Sequence, residues 1–202
     1  LRSAGKEIME LITVSERIVE ALRAADRNLL DSVKGIGPED VHRQAAPMLN
    51  TISWILGHCL RHHQLVLGQL GLEEVLETSI STEYYRFGTT KKEISESAPP
   101  CTFAELIEEY SRLSKECRSY AANLDERALS RIVDDEPHEN LGQKLIRLAL
   151  HVMGHAGQIV LLRRILGTPG PSFVGAIADD DMIEEETAWS SWWEENRLVL
   201  DV

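Results

Sequence analysis

"LGQKLIRLALHVMGHAGQIVLLRRILG", residues 141–167, decides the fold. Leu148, Val152, Ile159 and Leu162 recur at three- and four-residue steps, the period of one helix face. Asn140 stands where an N-cap belongs, with Gln143 placed to reach back to it. Gly167, Pro169 and Pro171 close the far end. The stretch therefore reads as a long helix over 141–166. His151 and His155 are one turn apart and share its apolar face. Burying imidazoles costs free energy unless they find partners, so the rest of the chain has to supply the reason.

Three more stretches carry the same period. The first runs over 4–33, with Ile8, Leu11, Ile12, Ile18, Val19, Leu22, Leu29 and Val33, and stops at Gly35, Gly37 and Pro38. The second runs over 49–70, after Pro47 and up to Gly71. The third runs over 103–124, opened by a capping box of Thr102 and Glu105. No segment alternates with the two-residue period of a strand. Four helices with one apolar stripe each bury those stripes best against one another, so the expected class is all-α, a four-helix bundle.

Residues 71–102 form the one long connection, expected to cross the bundle or to lie over its end. Residues 1–175 are expected to form the bundle. Residues 176–202 read as an acidic, tryptophan-rich extension packed on it, with Ile183, Trp189, Trp192, Trp193 and Leu198 giving a short docking helix.

The chain has 202 residues, 43% of them hydrophobic, enough to bury roughly 70% of its unfolded surface without disulfide or structural metal. Its 33 acidic and 21 basic residues leave a net charge of −12, which repels nucleic acid and anionic membranes. No run of about 18 apolar residues is present, so no membrane span is expected. The three cysteines, Cys59, Cys101 and Cys117, lie far apart. That pattern fits neither a disulfide framework nor a zinc–thiolate site, and it suits a reducing, cytoplasmic setting. No basic-then-apolar leader opens the chain. Serine-nucleophile and phosphate-loop motifs are missing as well.

The second helix, "NTISWILGHCLRHHQL", places His58 mid-helix among Trp54, Ile55 and Leu65. Two helices thus each present mid-helix histidine on an apolar face, which is how bundles build metal sites. His62 lies one turn beyond His58 and is open to three readings: a fourth ligand, a supporting base, or a surface residue. Gln158 either hydrogen-bonds a ligand or water or packs between helices. Arg163 and Arg164 either grip a carboxylate or oppose the helix dipole. Cys59 points about 100 degrees away from His58 and is left out of the site. His42, His63 and His138 are expected at the surface.

At these residues the chain resembles the DinB/YfiT-like metalloenzyme superfamily. The resemblance lies in "NTISWILGH", in "HVMGHAGQIVLLRRILG", and in the "YRFG" turn between the second and third helices. It implies an up-down-down-up bundle in which three histidines hold a divalent ion, Zn or Ni. Carried over by position, the ligands are His58, His151 and His155. The resemblance further implies chemistry on a small-molecule substrate, a low-molecular-weight thiol for S-transfer or a hydrolysable compound, and a homodimer. The tryptophan-rich tail has no counterpart in it. Three readings stay open: a metal-dependent transferase or hydrolase, a metal-binding or stress-response protein without catalysis, and a structural helical protein with core histidines.

Overall fold

The computed structural model describes residues 12–77, 79–88, 99–134, 138–170 and 179–201. Four long helices form its frame: α1 (Val14–Val33), α3 (Ile52–Gln69), α5 (Phe103–Ala122) and α7 (Leu141–Leu166). The class is all-α. Short helices α2 (Pro38–Val41), α4 (Glu73–Leu76) and α6 (Glu126–Leu129) lie in the connections, and α8 (Asp179–Asn196) follows the frame. Each long helix packs on two others: α1 on α7 and α5, and α3 on α5 and α7. Leu22, Leu29, Leu56, Leu60, Leu106, Leu113, Leu145 and Ile159 meet in the middle, all fully buried.

Capping chemistry sets the helix starts. Thr102 and Glu105 cap α5 as expected, and Asn140 and Gln143 cap α7. α1 starts later than its periodicity suggests. Thr13 accepts from the Glu16 amide while Glu16 reaches back to the Thr13 amide at 2.6 Å, so the capping box marks the boundary; the expected residues 4–11 lie outside those described. Likewise α3 starts after Thr51, whose hydroxyl accepts from the Trp54 amide, and not near Pro47.

One hairpin corrects the expectation of no strand. β1 (Ile132–Asp134) pairs antiparallel with β2 (Glu139–Asn140), leading into α7. Strands this short carry too few residues for alternation to register. Glu139 holds Arg147 through two bonds of 2.7 and 2.6 Å, fixing the hairpin to the first turns of α7.

α7 also differs from expectation in its apolarity. By length and composition it could cross a membrane, although the sequence reading expects no such segment; 44% of its most apolar window is buried. A helix apolar on most sides is either a core element or a membrane span, and here one side packs on α1 and α3.

Arg163 takes a structural place. It is buried and donates to the carbonyls of Ser32, Lys34 and Thr168 at 2.8, 2.7 and 3.0 Å, tying the end of α7 to the end of α1. α8 lies along α1 through ion pairs, Arg23 with Glu186 and Arg27 with Glu185 at 2.6 Å. Trp189, Trp192 and Trp193 are partly buried against the core, whereas Ile183 and Leu198 stay exposed. Leu200 adds a further apolar anchor: it is buried, and its carbonyl accepts from the Ala104 amide.

Candidate metal centre

α3 and α7 bring four imidazoles together. Ring centroids lie 4.8 Å apart for His58 and His62, 5.2 Å for His58 and His151, and 5.1 Å for His58 and His155. They lie 3.8 Å apart for His62 and His151 and 4.5 Å for His151 and His155. The candidate ligand atoms of His58, His62 and His151 all fall within 4.8 Å of one another. His155 touches two of those three rings. The sequence reading brings His58, His151 and His155 to one place and leaves His62 open. A signal for His62 was present: His58 and His62 repeat on α3 the His-x3-His spacing of His151 and His155 on α7.

Two of the rings are held from behind. The His58 Nδ1–H donates to the Tyr85 carbonyl at 2.8 Å, and the His155 Nδ1–H donates to Gln158 Oε1 at 2.8 Å. Each bond leaves Nε2 as the lone-pair nitrogen, the arrangement in which a metal-ligating histidine is oriented through its second nitrogen. Tyr85 sits in a 3-10 turn (Glu83–Tyr85) of the long connection, and only its backbone acts, so no side-chain signal pointed to it. Its fully buried ring lies against Gly57, where an added Cβ would stand 2.5 Å from the ring carbons. Trp54 stacks on His58 with ring centroids 4.9 Å apart and forms one wall.

The electrostatics keep these rings neutral. Burial first, and then the neighbouring histidines and Arg147, lower His62 to about 3 and His151 to about 4. Burial also lowers His58 and His155, partly offset by the Tyr85 and Gln158 bonds. Neutral imidazole is the form that donates a lone pair to a metal. His151 Nε2 is buried and has no hydrogen-bond partner, a costly state unless something else satisfies it. A group of nitrogen donors with one orphaned lone pair suits a borderline-soft divalent ion of the Zn or Ni kind.

His63 corrects the surface expectation. It is fully buried and faces away from this cluster, with Nδ1 3.1 Å from the Cys59 carbonyl and Nε2 3.3 Å from Asp26. Asp26 also accepts from Tyr110 at 2.7 Å and from Arg118. Burial alone would raise the Asp26 carboxyl, but His63, Arg118 and Tyr110 outweigh it and hold it below its ordinary value. This network ties α1, α3 and α5 together on the far side of α3 and contributes no ligand. His42 and His138 are exposed, as expected.

A model of the DinB superfamily matches residues 21–159. The chain belongs to the DinB superfamily. That family includes metal-binding enzymes, and the matched span holds all four clustered histidines. Among solved structures, a conserved protein from Enterococcus faecalis has the same fold, with a TM-score of 0.62 at 19% identity. The likeness covers 78% of this chain and 99% of that one. No curated protein matches. The four clustered histidines lie on α3 and α7, two helices that pack on each other.

Proposed function

We propose that this DinB-family chain is a divalent-metal-dependent enzyme acting on a small thiol, by S-transfer or a related hydrolysis. The observation that carries the reading is the orphaned His151 Nε2 inside a cluster of four neutral imidazoles. His58, His151 and His155 hold the ion in this reading, because the hydrogen bonds that His58 and His155 donate through Nδ1 to Tyr85 and Gln158 leave their Nε2 atoms as donors to the ion. His62, against His151, takes the remaining side of the site and is either a fourth donor or a wall.

Bound there, a Zn²⁺- or Ni²⁺-type ion would supply Lewis-acid charge that favours the deprotonated form of a thiol or water. The protein's own contribution is to leave that charge uncompensated, since among the described residues no carboxylate belongs to the cluster. Arg61 and Arg147 stand near it and add positive field, although each is paired with a glutamate. An anionic reactant is therefore favoured over a cationic one. Trp54 supplies an apolar wall that keeps water from one side of His58.

The test is elemental analysis of protein never exposed to chelator, followed by thiol-transfer and hydrolysis assays on metal-stripped and reconstituted samples. One ion per chain, with activity lost on stripping and restored by Zn²⁺ or Ni²⁺, is the expected result. A chain that carries no divalent ion and takes none up refutes the reading. A loaded chain inactive across both classes of reaction leaves metal binding standing and refutes the enzyme.

A further inference from the structure

A cavity lies between α1, α5 and α8, and no member of the histidine cluster lines it. Its volume is about 450 Å³, a size usual for small-molecule sites. Asp26, Arg27 and Ser114 line it and are buried, so they form its floor; Lys115 and Ser190 are exposed and stand at its rim. Trp189 of α8 supplies one wall. The family match ends at residue 159, whereas α8 spans Asp179–Asn196. That wall therefore comes from a part of the chain outside the match.

The charges lining the cavity are paired, with one exception. Arg23 holds Glu186 through two bonds of 2.7 and 3.0 Å, and this keeps the Glu186 carboxyl below its ordinary value and ionised. Arg27 meets Glu185 at 2.6 Å. Asp31, outside the cavity, lies between the fields of Arg27 and Lys34. Arg118 pairs with Asp26. The Lys115 ammonium makes no hydrogen bond or ion pair with any described residue. It is the positive charge left over, set in a concavity of a chain whose net charge is −12.

α5 gathers the donors. Ser111, Ser114, Lys115 and Arg118 follow at steps of three, one and three, on one side of that helix. Arg118 gives Nη1 to Asp26, while its Nε and Nη2 make no hydrogen bond to a described residue. Its side chain is partly exposed, so that edge is within reach of a ligand. Two parallel N–H groups on one guanidinium edge match the two oxygens of a planar carboxylate. Asp26, itself fixed by Tyr110 and His63, holds the guanidinium in place before any ligand arrives, which lowers the cost of binding. Trp189 and Leu30 supply apolar surface in the same cavity. One unpaired lysine answers one negative charge. A phosphate monoester brings nearly two, and would set the second against the Asp26 and Glu186 carboxylates.

We propose that the α1–α5–α8 cavity binds a small monocarboxylate with an apolar body, its carboxylate between Lys115 and Arg118 and its body against Trp189 and Leu30. The assignment does not rest on the metal reading, because none of these residues belongs to the histidine cluster.

Isothermal titration of the full chain with benzoate, naphthoate and decanoate tests it, each beside its neutral amide and the phosphate monoester of the same body. At least one carboxylate binds at millimolar concentration or below. Its amide binds about 10-fold or more weakly, because a charge-assisted hydrogen bond is lost. Lys115→Met weakens the carboxylate by a similar factor of about 10 with an unchanged melting temperature. Lys144→Met removes the same charge outside the cavity and leaves the affinity as it was. His151→Ala also leaves it as it was, whatever that change does to metal content. Absence of binding by all three carboxylates overturns the proposal, as does an amide that binds equally well or a phosphate that binds more tightly. Full affinity in Lys115→Met overturns it too. Binding that disappears in His151→Ala overturns it by placing the carboxylate at the histidine cluster.

Discussion

Replacing Gly57 by alanine tests how the long connection supports the histidine cluster. The new Cβ would lie 2.5 Å from Cγ, Cδ1 and Cε1 of Tyr85. Ordinary carbon contacts lie near 3.5–4.0 Å, so the ring must retreat by about 1 Å. Tyr85 is fully buried, and overpacking of a buried ring costs about 1–3 kcal/mol. Alanine is also a better helix residue than glycine by about 0.5–1 kcal/mol, which offsets part of the cost. Gly68→Ala on the same helix is the control, since its Cβ meets only Leu76 Cδ1, at 3.8 Å. The helix gain is common to both, so the difference between them isolates the clash. It should appear as Gly57→Ala melting lower by roughly 2–12 °C, at about 2–4 °C per kcal/mol for a chain of this size.

The second half of that prediction concerns the site. The Tyr85 carbonyl accepts from His58 Nδ1 at 2.8 Å, so moving Tyr85 disturbs the bond that aims His58. Loss of such a supporting bond typically weakens metal affinity by about 10–100-fold. Thermal unfolding in chelator measures the first effect, and competitive zinc titration measures the second. Equal melting temperatures for the two variants would refute the packing argument. A lowered melting temperature with unchanged zinc affinity would refute the link from Tyr85 to His58.

Further expectations rest on other parts of the fold. His151→Ala should abolish stoichiometric metal uptake; comparing His155→Ala with His62→Ala by elemental analysis shows which completes the ligand set, and the larger loss is expected for His155→Ala. Asp26→Asn leaves Arg118 without its buried partner, and should destabilise the chain by about 3–5 kcal/mol in urea unfolding, with metal content unchanged. Asp31 is pushed up to about 6 by burial and by the neighbouring Glu185 carboxylate, with Arg27 offsetting part of the shift. A raised acid binds its proton in the folded state while the unfolded chain has released it. Stability therefore falls as pH rises from about 4 to about 6, and the cost is fully present above that. Asp31→Asn should recover about 2 kcal/mol at pH 7.5, after discounting a two-unit shift for partial exposure, and nothing below pH 4. An equal gain at both pH values would show that ionisation is not the cause.

Much of the frame was legible along the chain because helix periodicity and capping are local. Thr102 with Glu105, and Asn140 with Gln143, place the starts of α5 and α7 where a short window of residues says they must be. α1 shows the limit of periodicity alone: apolar spacing extends it towards residue 4, while the Thr13–Glu16 box starts it at Val14. The β1–β2 hairpin escaped notice because strands of two and three residues have no pattern to read. Ile183 and Leu198 looked like anchors of the tail by hydrophobicity, yet they stay exposed, and docking falls to the three expected tryptophans together with Glu185, Glu186 and Leu200. Which surface a helix meets is not written in its own residues.

The histidines divide along the same line. The four-residue spacings of His58 with His62 and of His151 with His155 are properties of the chain, and so is their placement on apolar stretches of helix. Their convergence is a matter of how α3 sits against α7. His63, next to His62 in sequence, turns instead towards Asp26 and Tyr110, because adjacent residues on a helix point about 100 degrees apart. The Tyr85 carbonyl reaches His58 across 27 positions of chain, and a backbone oxygen leaves no mark on the residue type. The sequence by itself determined the helices, their caps and the supply of imidazoles, since these follow from interactions within a few residues. Only the tertiary structure decided which imidazoles meet and what aims them, since that depends on packing between helices far apart in the chain.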